Sequence, residues 1–116
     1  MNNKSTNSLL GKIARRQSLA GTDLRNLYLT CMDLSGMDLR RVNFDGCHLS
    51  YANLDQSDLS NANMANATLL CASFKGANLE GVTLNAAVVS GADFAGAKGL
   101  KPQTKKILGS KGAKGL

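Results

Sequence analysis

One residue in five along most of this chain is large and apolar, and the register never slips. Leu24, Leu29, Leu34, Leu39, Phe44, Leu49, Leu54, Leu59, Met64, Leu69, Phe74, Leu79, Leu84, Val89 and Phe94 follow one another at that spacing. A period of five matches neither the 3.6 of a helix nor the 2 of a flat strand. It is met when each unit of five is a short extended piece followed by a corner. Two positions then point inward, the large centre and the small residue two before it (Ala52, Ala62, Ala67, Ala72, Ala77, Ala87, Ala92). Asp, Asn, Ser or Thr mostly precedes the centre, and Gly recurs two residues after it at Gly36, Gly46, Gly76, Gly81, Gly91 and Gly96. Gly and Asn tolerate the positive φ that a tight corner requires.

Four such units close a square coil, so residues twenty apart lie above one another at strand spacing. One coil cannot bury its own apolar side; stacking does that, as in other solenoids. The internal ladders are then Leu24–Phe44–Met64–Leu84, Leu29–Leu49–Leu69–Val89, Leu34–Leu54–Phe74–Phe94 and Leu39–Leu59–Leu79. Leu24, Phe44, Leu54, Met64, Phe74, Leu79 and Phe94 are thus structural core. Leu27, Met32 and Met37 occupy the companion inward position of the first coil and make it wider. The composition agrees with a narrow, regular interior: 43% of residues are hydrophobic but only 4% aromatic, with no Trp.

The motif A-[DN]-L-x-x, in runs such as Asn-Ala-Asn-Met-Ala and Gly-Ala-Asn-Leu-Glu, closely resembles the pentapeptide-repeat family over residues 22–97. The resemblance implies an all-β solenoid, a right-handed quadrilateral β-helix of about four coils. It does not imply one activity, since this scaffold serves several roles. It does imply, for some members, interaction with DNA gyrase through an acidic rod that resembles duplex DNA, in quinolone resistance or topoisomerase inhibition.

The formal charge of +6 divides unevenly. Between Asp23 and Asp93 four basic residues face eight acidic ones, a net of −4, while the ends carry ten Lys and Arg and no acid. Residues 1–18 read as a basic tail and capping helix (Ser8–Arg16, with Leu9, Leu10 and Ile13 on the first coil), and 19–97 as the β-helix. Residues 98–116 read as a basic cap. In it Pro102, a favoured first helical residue, starts a helix to Leu108 that lays Ile107 and Leu108 over the last coil. Lys105 and Lys106 near its end suit the helix dipole, and a flexible tail follows from Ser110. Such caps cover the apolar ends of a solenoid.

Placed on the four sides, the outward residues are unequal. Three sides carry charge, among them Asp33, Asp38, Asp55, Asp58 and Asp93, the candidate residues for a DNA-mimicking contact with a topoisomerase. The side centred on Leu29, Leu49, Leu69 and Val89 carries none, yet holds both Tyr, the only His and two of three Cys. Tyr28, His48, Tyr51, Leu70 and Val88 are therefore the candidate partner surface, because Tyr and apolar groups are enriched in interface cores. The same side is where a homodimer forms, if one does. The alternative is that aromatic and β-branched residues simply suit an exposed strand.

Catalysis has little support. His48 has no acidic residue on its side to orient it, and a flat wall offers no pocket. Cys31 and Cys71 share a column two coils apart, beyond the ~7 Å limit of a disulfide, and Cys47 points inward. One His and three scattered Cys give no zinc spacing, and no cofactor is implied. No apolar run reaches about 18 residues and no signal peptide is evident, so a reduced, cytoplasmic setting is the expectation. The reading is a non-enzymatic protein-interaction module. Topoisomerase binding is the first alternative, and anchoring of the basic ends to nucleic acid or an anionic membrane is the second.

Overall fold

The computed structural model describes the backbone of residues 3–116 and the side chains from Ser8 onward; the side chain of Lys4 lies outside the described residues. The chain runs through helix α1 (Asn3–Ala14), the coils, and helix α2 (Pro102–Ser110), within 42 × 22 × 20 Å. It is a right-handed quadrilateral β-helix. Parallel bridges join residues twenty apart, as in Asp23↔Asn43↔Asn63↔Thr83 on the first face and Tyr28↔His48↔Thr68↔Val88 on the second. Asp33↔Asn53↔Ser73↔Asp93 and Asp38↔Asp58↔Asn78↔Lys98 form the third and fourth. Each side is too short to make a conventional strand, so the sheet consists of single rungs.

The corners follow from local chemistry. Every fifth residue from Arg16 to Gly96 has a positive φ between 55° and 72°. Beside most corners the Asp or Asn before the apolar centre accepts a hydrogen bond from the N–H two residues on: Asp45 N to Asn43, Asp55 N to Asn53, Ser60 N to Asp58, Ala65 N to Asn63. This Asx turn is why that position favours Asp and Asn. Inside, Leu24, Phe44, Leu54, Met64, Phe74, Leu79 and Phe94 are buried. Phe74 and Phe94 stack with centroids 4.8 Å apart and planes 2° from parallel. Ser57 takes the companion position usually held by Ala, and its hydroxyl donates to the Leu54 carbonyl at 2.7 Å.

Both ends differ from expectation. Helix α1 starts at Asn3 and stops at Ala14; Ile13 is buried and Leu9 packs on the core, but Leu10 is exposed. Leu27 is 37% exposed because no coil lies beneath it, and Leu84 in the top coil is only half-buried for the corresponding reason. Arg16 guards the lower edge of the third face, donating to the Asp33 carbonyl (2.7 Å) and the Ser35 carbonyl (3.0 Å).

At the other end α2 extends to Ser110, so Lys105 and Lys106 lie in its middle rather than its last turn. Leu108 is buried, while Ile107 stands 55% exposed. Residues 110–116 are not a loose tail. Lys114 bridges to Asp93 as Lys98 bridges to Asn78, with Lys114 N donating to Ala92 O (2.8 Å) and Phe94 N to Lys114 O (2.9 Å). Gly-Ala-Lys-Gly-Leu occurs twice, at 96–100 and 112–116. Both copies do the same work, each laying a lysine-centred rung between two positive-φ glycines on the last coil.

Candidate interaction surface

The second face is built without the device that stabilises the others. On the first, third and fourth faces Asp23, Asn43, Asn63, Asp33, Asn53, Asp93, Asp38, Asp58 and Asn78 close Asx turns. Tyr28, His48, Thr68 and Val88 occupy the equivalent positions of the second face and close none among the described residues. In their place stands an outward-facing cluster. Tyr28 is 79% exposed and Val88 50%, and His48 and Leu70 are half-buried. Tyr28 and His48 stack with centroids 4.3 Å apart and planes 7° from parallel.

The adjoining corner column is Cys31, Tyr51, Cys71, Gly91. Its first three members hold φ at 62°, 62° and 55°, a region that costs a side chain with Cβ about 1–2 kcal/mol. Tyr51 is 59% exposed there, and interaction with the Cys71 side chain pushes its phenol above the ordinary range. Cys31 and Cys71 are free and exposed; Cys47 is buried and free. Burial pushes the Cys47 thiol up. The strain at this column had no signal in the sequence beyond the absence of Gly and Asn at 31, 51 and 71.

The acidic residues lie on other sides, and many are engaged. Arg25 pairs with Asp23 (2.9 Å), Arg16 with Asp33 (3.1 Å), Arg40 with Asp38 (2.7 Å) and Lys75 with Asp93 (3.8 Å). The Ser35 hydroxyl and N–H, with Arg16, bring the Asp33 carboxyl down to about 2. The Arg40 guanidinium and then the Ser18 hydroxyl hold Asp38 well below the usual carboxylate range. Asp55 accepts from Ser73 Oγ and from Lys75 N (2.9 Å). Of the five candidate carboxylates, only Asp55 and Asp58 lack a cationic partner among the described residues. The structure thus sets Asp33, Asp55 and Asp93 along the third face and Asp38 and Asp58 on the fourth, but pairs three of them internally.

Among the described residues no three His, Cys, Asp or Glu side chains gather as a metal site, and no helix is long and apolar enough to cross a membrane. A square coil of tandem five-residue rungs, with its chemistry confined to outward side chains, defines the molecule as a β-solenoid scaffold. The model of the pentapeptide repeats matches residues 18–50, 47–85 and 72–98, with 8 copies. The chain belongs to the pentapeptide-repeat family. No curated protein sequence matches it.

Solved structures do. A pentapeptide repeat protein from the thylakoid lumen of Arabidopsis thaliana is 27% identical, over 85% of this chain and 80% of that one, at a TM-score of 0.50. QnrB1, described as a plasmid-mediated fluoroquinolone resistance protein, is 27% identical over 72% of this chain, at a TM-score of 0.67. The match covers 43% of QnrB1. A pentapeptide repeat protein from Nostoc Pcc 7120 shares the fold, at 22% identity over 93% of this chain and 94% of that one and a TM-score of 0.60.

Proposed function

We propose that the chain is a non-enzymatic protein-interaction module whose second face is the partner surface, with Tyr28, His48, Tyr51, Leu70 and Val88 as its contact residues. The observation that carries this reading is the coincidence, on one face, of forgone Asx turns with three of the seven positive-φ residues that are neither Gly nor Asn; the others, Arg16, Arg41, Gln56 and Ala86, lie in other columns. Both lower stability and both present aromatic or apolar groups to solvent. Strain and lost hydrogen bonds concentrated at one surface are a mark of function. Uncharged aromatic surface also loses little on desolvation and little side-chain entropy on contact. A second copy of the chain is one candidate partner. In affinity capture, wild-type protein retains a partner that Tyr28→Asp/Tyr51→Asp does not; equal retention by both overturns the assignment.

A second reading rests on the likeness to QnrB1, whose name ties it to fluoroquinolone resistance. In it, Asp33, Asp38, Asp55, Asp58 and Asp93 face a topoisomerase as duplex phosphate does. Internal pairing of Asp33, Asp38 and Asp93 leaves that array weaker than its count of carboxylates suggests. Gyrase supercoiling measured with excess protein tests it: unchanged supercoiling, with and without a quinolone, removes the reading.

A further inference from the structure

The last coil is closed on only two of its four sides. Lys98 covers the fourth face and Lys114 the third, with α2 between them in the chain, while among the described residues no bridge lies above the rungs at Thr83 and Val88. In the lower coils Leu24, Phe44 and Met64 each donate their N–H to the coil above, as do Asn26, Gly46 and Asn66, and Leu29, Leu49 and Leu69. Leu84, Ala86 and Val89 are the next members of those three series. None of their N–H groups has a partner among the described residues, and neither have the Val82 and Ala87 carbonyls, whose counterparts below accept from the next coil. This is an open strand edge with donors and acceptors at the spacing of a parallel rung.

Beside the edge runs a groove of about 380 Å³, floored by half-buried Val82 and Leu84 and walled by Thr104, Ile107, Leu108 and Lys111 of the C-terminal cap. No carboxylate lines it. The cap carries Lys101, Lys105, Lys106, Lys111 and Lys114 with no acidic residue of its own after Asp93, and none of these lysines forms an ion pair among the described residues. Helix α2 stands over the core at this end, so a whole coil of another copy cannot stack here. A single extended segment can.

We propose that this edge is a β-augmentation site that takes an extended acidic segment of a partner protein. The segment lies parallel to the first-face rung at residues 82–86, up to the corner at Ala86, its carbonyls accepting from Leu84 and Ala86 and an N–H donating to Val82. One of its apolar side chains covers Leu84 against Ile107, and its carboxylates meet the unpaired lysines of the cap. Main-chain pairing supplies affinity and the lysines supply selection, the division seen wherever a peptide adds to a sheet edge.

The probe is a labelled synthetic heptapeptide alternating Glu or Asp with Val or Ile, added to the full chain and followed by fluorescence anisotropy and by amide hydrogen exchange. With peptide at about ten times its dissociation constant, the Leu84 and Ala86 amides exchange about tenfold more slowly. Lys111→Glu weakens binding about fivefold or more, and adding salt weakens it further. An N-methylated peptide does not bind, and Tyr28→Asp/Tyr51→Asp binds as the wild type does. Equal binding of a peptide with Lys in place of every acid overturns the proposal. So does protection confined to the second face, or protection of Leu84 and Ala86 that appears with protein concentration alone and marks self-association.

Discussion

The imidazole of His48 lies one coil above the phenol of Tyr28, parallel to it at 4.3 Å. Stacking of this kind contributes about 0.5–1.5 kcal/mol. It stands where Asp and Asn on the other faces tie down the corner with a hydrogen bond of comparable worth. The two residues have exchanged a local, purely structural contact for one that also presents aromatic surface.

That exchange predicts stabilising substitutions on the proposed partner surface. Val88 has no aromatic neighbour to lose and stands half exposed, so Val88→Asn gains an Asx turn to Ser90 N at little expense. Stability rises by about 0.5–1 kcal/mol, read as a higher midpoint in urea unfolding. The same variant loses affinity for whatever binds the wall. A lower midpoint would show that Val88 is retained for β-propensity alone.

Tyr51 gives a sharper test, since its strain is in the backbone. At φ 62° Tyr51→Asn places a residue that tolerates the left-handed region where one that resists it now stands. Stability increases by about 0.5–1 kcal/mol, whereas Tyr51→Val, β-branched, decreases it. Thermal melts of the two variants beside wild type check the sign of both.

Acid acts on stability through the lower end, where the carboxylates with lowered pKa values lie. Asp33 titrates at about 2 in the folded chain because Ser35 and Arg16 hold its charged form, against an ordinary value of about 3.9 unfolded. Asp23 and Asp38 are lowered as well. A depressed folded pKa contributes stability that is present above the unfolded value and lost as pH falls through the folded one. The melting temperature therefore declines from about pH 4 down toward about pH 2. Ser35→Ala/Arg16→Ala has a lower melting temperature at neutral pH and a shallower decline over that interval; an identical decline would mean that Asp33 does not carry it.

The coils were legible because each rung repeats the same physics: an inward apolar centre, a small companion, an Asx turn and a positive-φ corner. With that period in hand, the placement of Tyr28, His48 and Tyr51 on one uncharged side follows from counting by twenty. What the period does not reach is the ends, where it stops. Leu10 and Ile107 read as inward from helical spacing, yet both are exposed, because a helix lying across a square coil meets the core along a narrower stripe than it would in a bundle. The corner strain at Cys31, Tyr51 and Cys71 was hidden because composition marks where Gly is used, not where it is withheld. The duplicated Gly-Ala-Lys-Gly-Leu was visible as a string, but its purpose depends on α2 carrying the second copy back to the sheet.

The two capping rungs make the last prediction. A Cβ on Gly99 would come within 2.5 Å of Glu80 N and 2.6 Å of Glu80 Cα, at a φ of +91°. On Gly115 it would meet Asp93 Oδ1 at 2.5 Å and Ala95 N at 2.6 Å, at +78°. Gly36 has a similar φ of +67° but open space around it. Gly36→Ala therefore isolates the backbone term, a loss of about 1–2 kcal/mol. Gly99→Ala adds a clash with main chain that cannot swing aside, for a total of about 2–4 kcal/mol. Gly115→Ala lies between, since part of its clash is with the mobile end of a side chain, and it lifts only the terminal rung. Amide exchange separates the three. Gly115→Ala exposes Phe94 N and Lys114 N, Gly99→Ala exposes Leu79 N and loosens α2 with it, and Gly36→Ala leaves both ends protected. Equal losses in all three variants would mean that the rungs of the cap rest on the coil without being fitted to it.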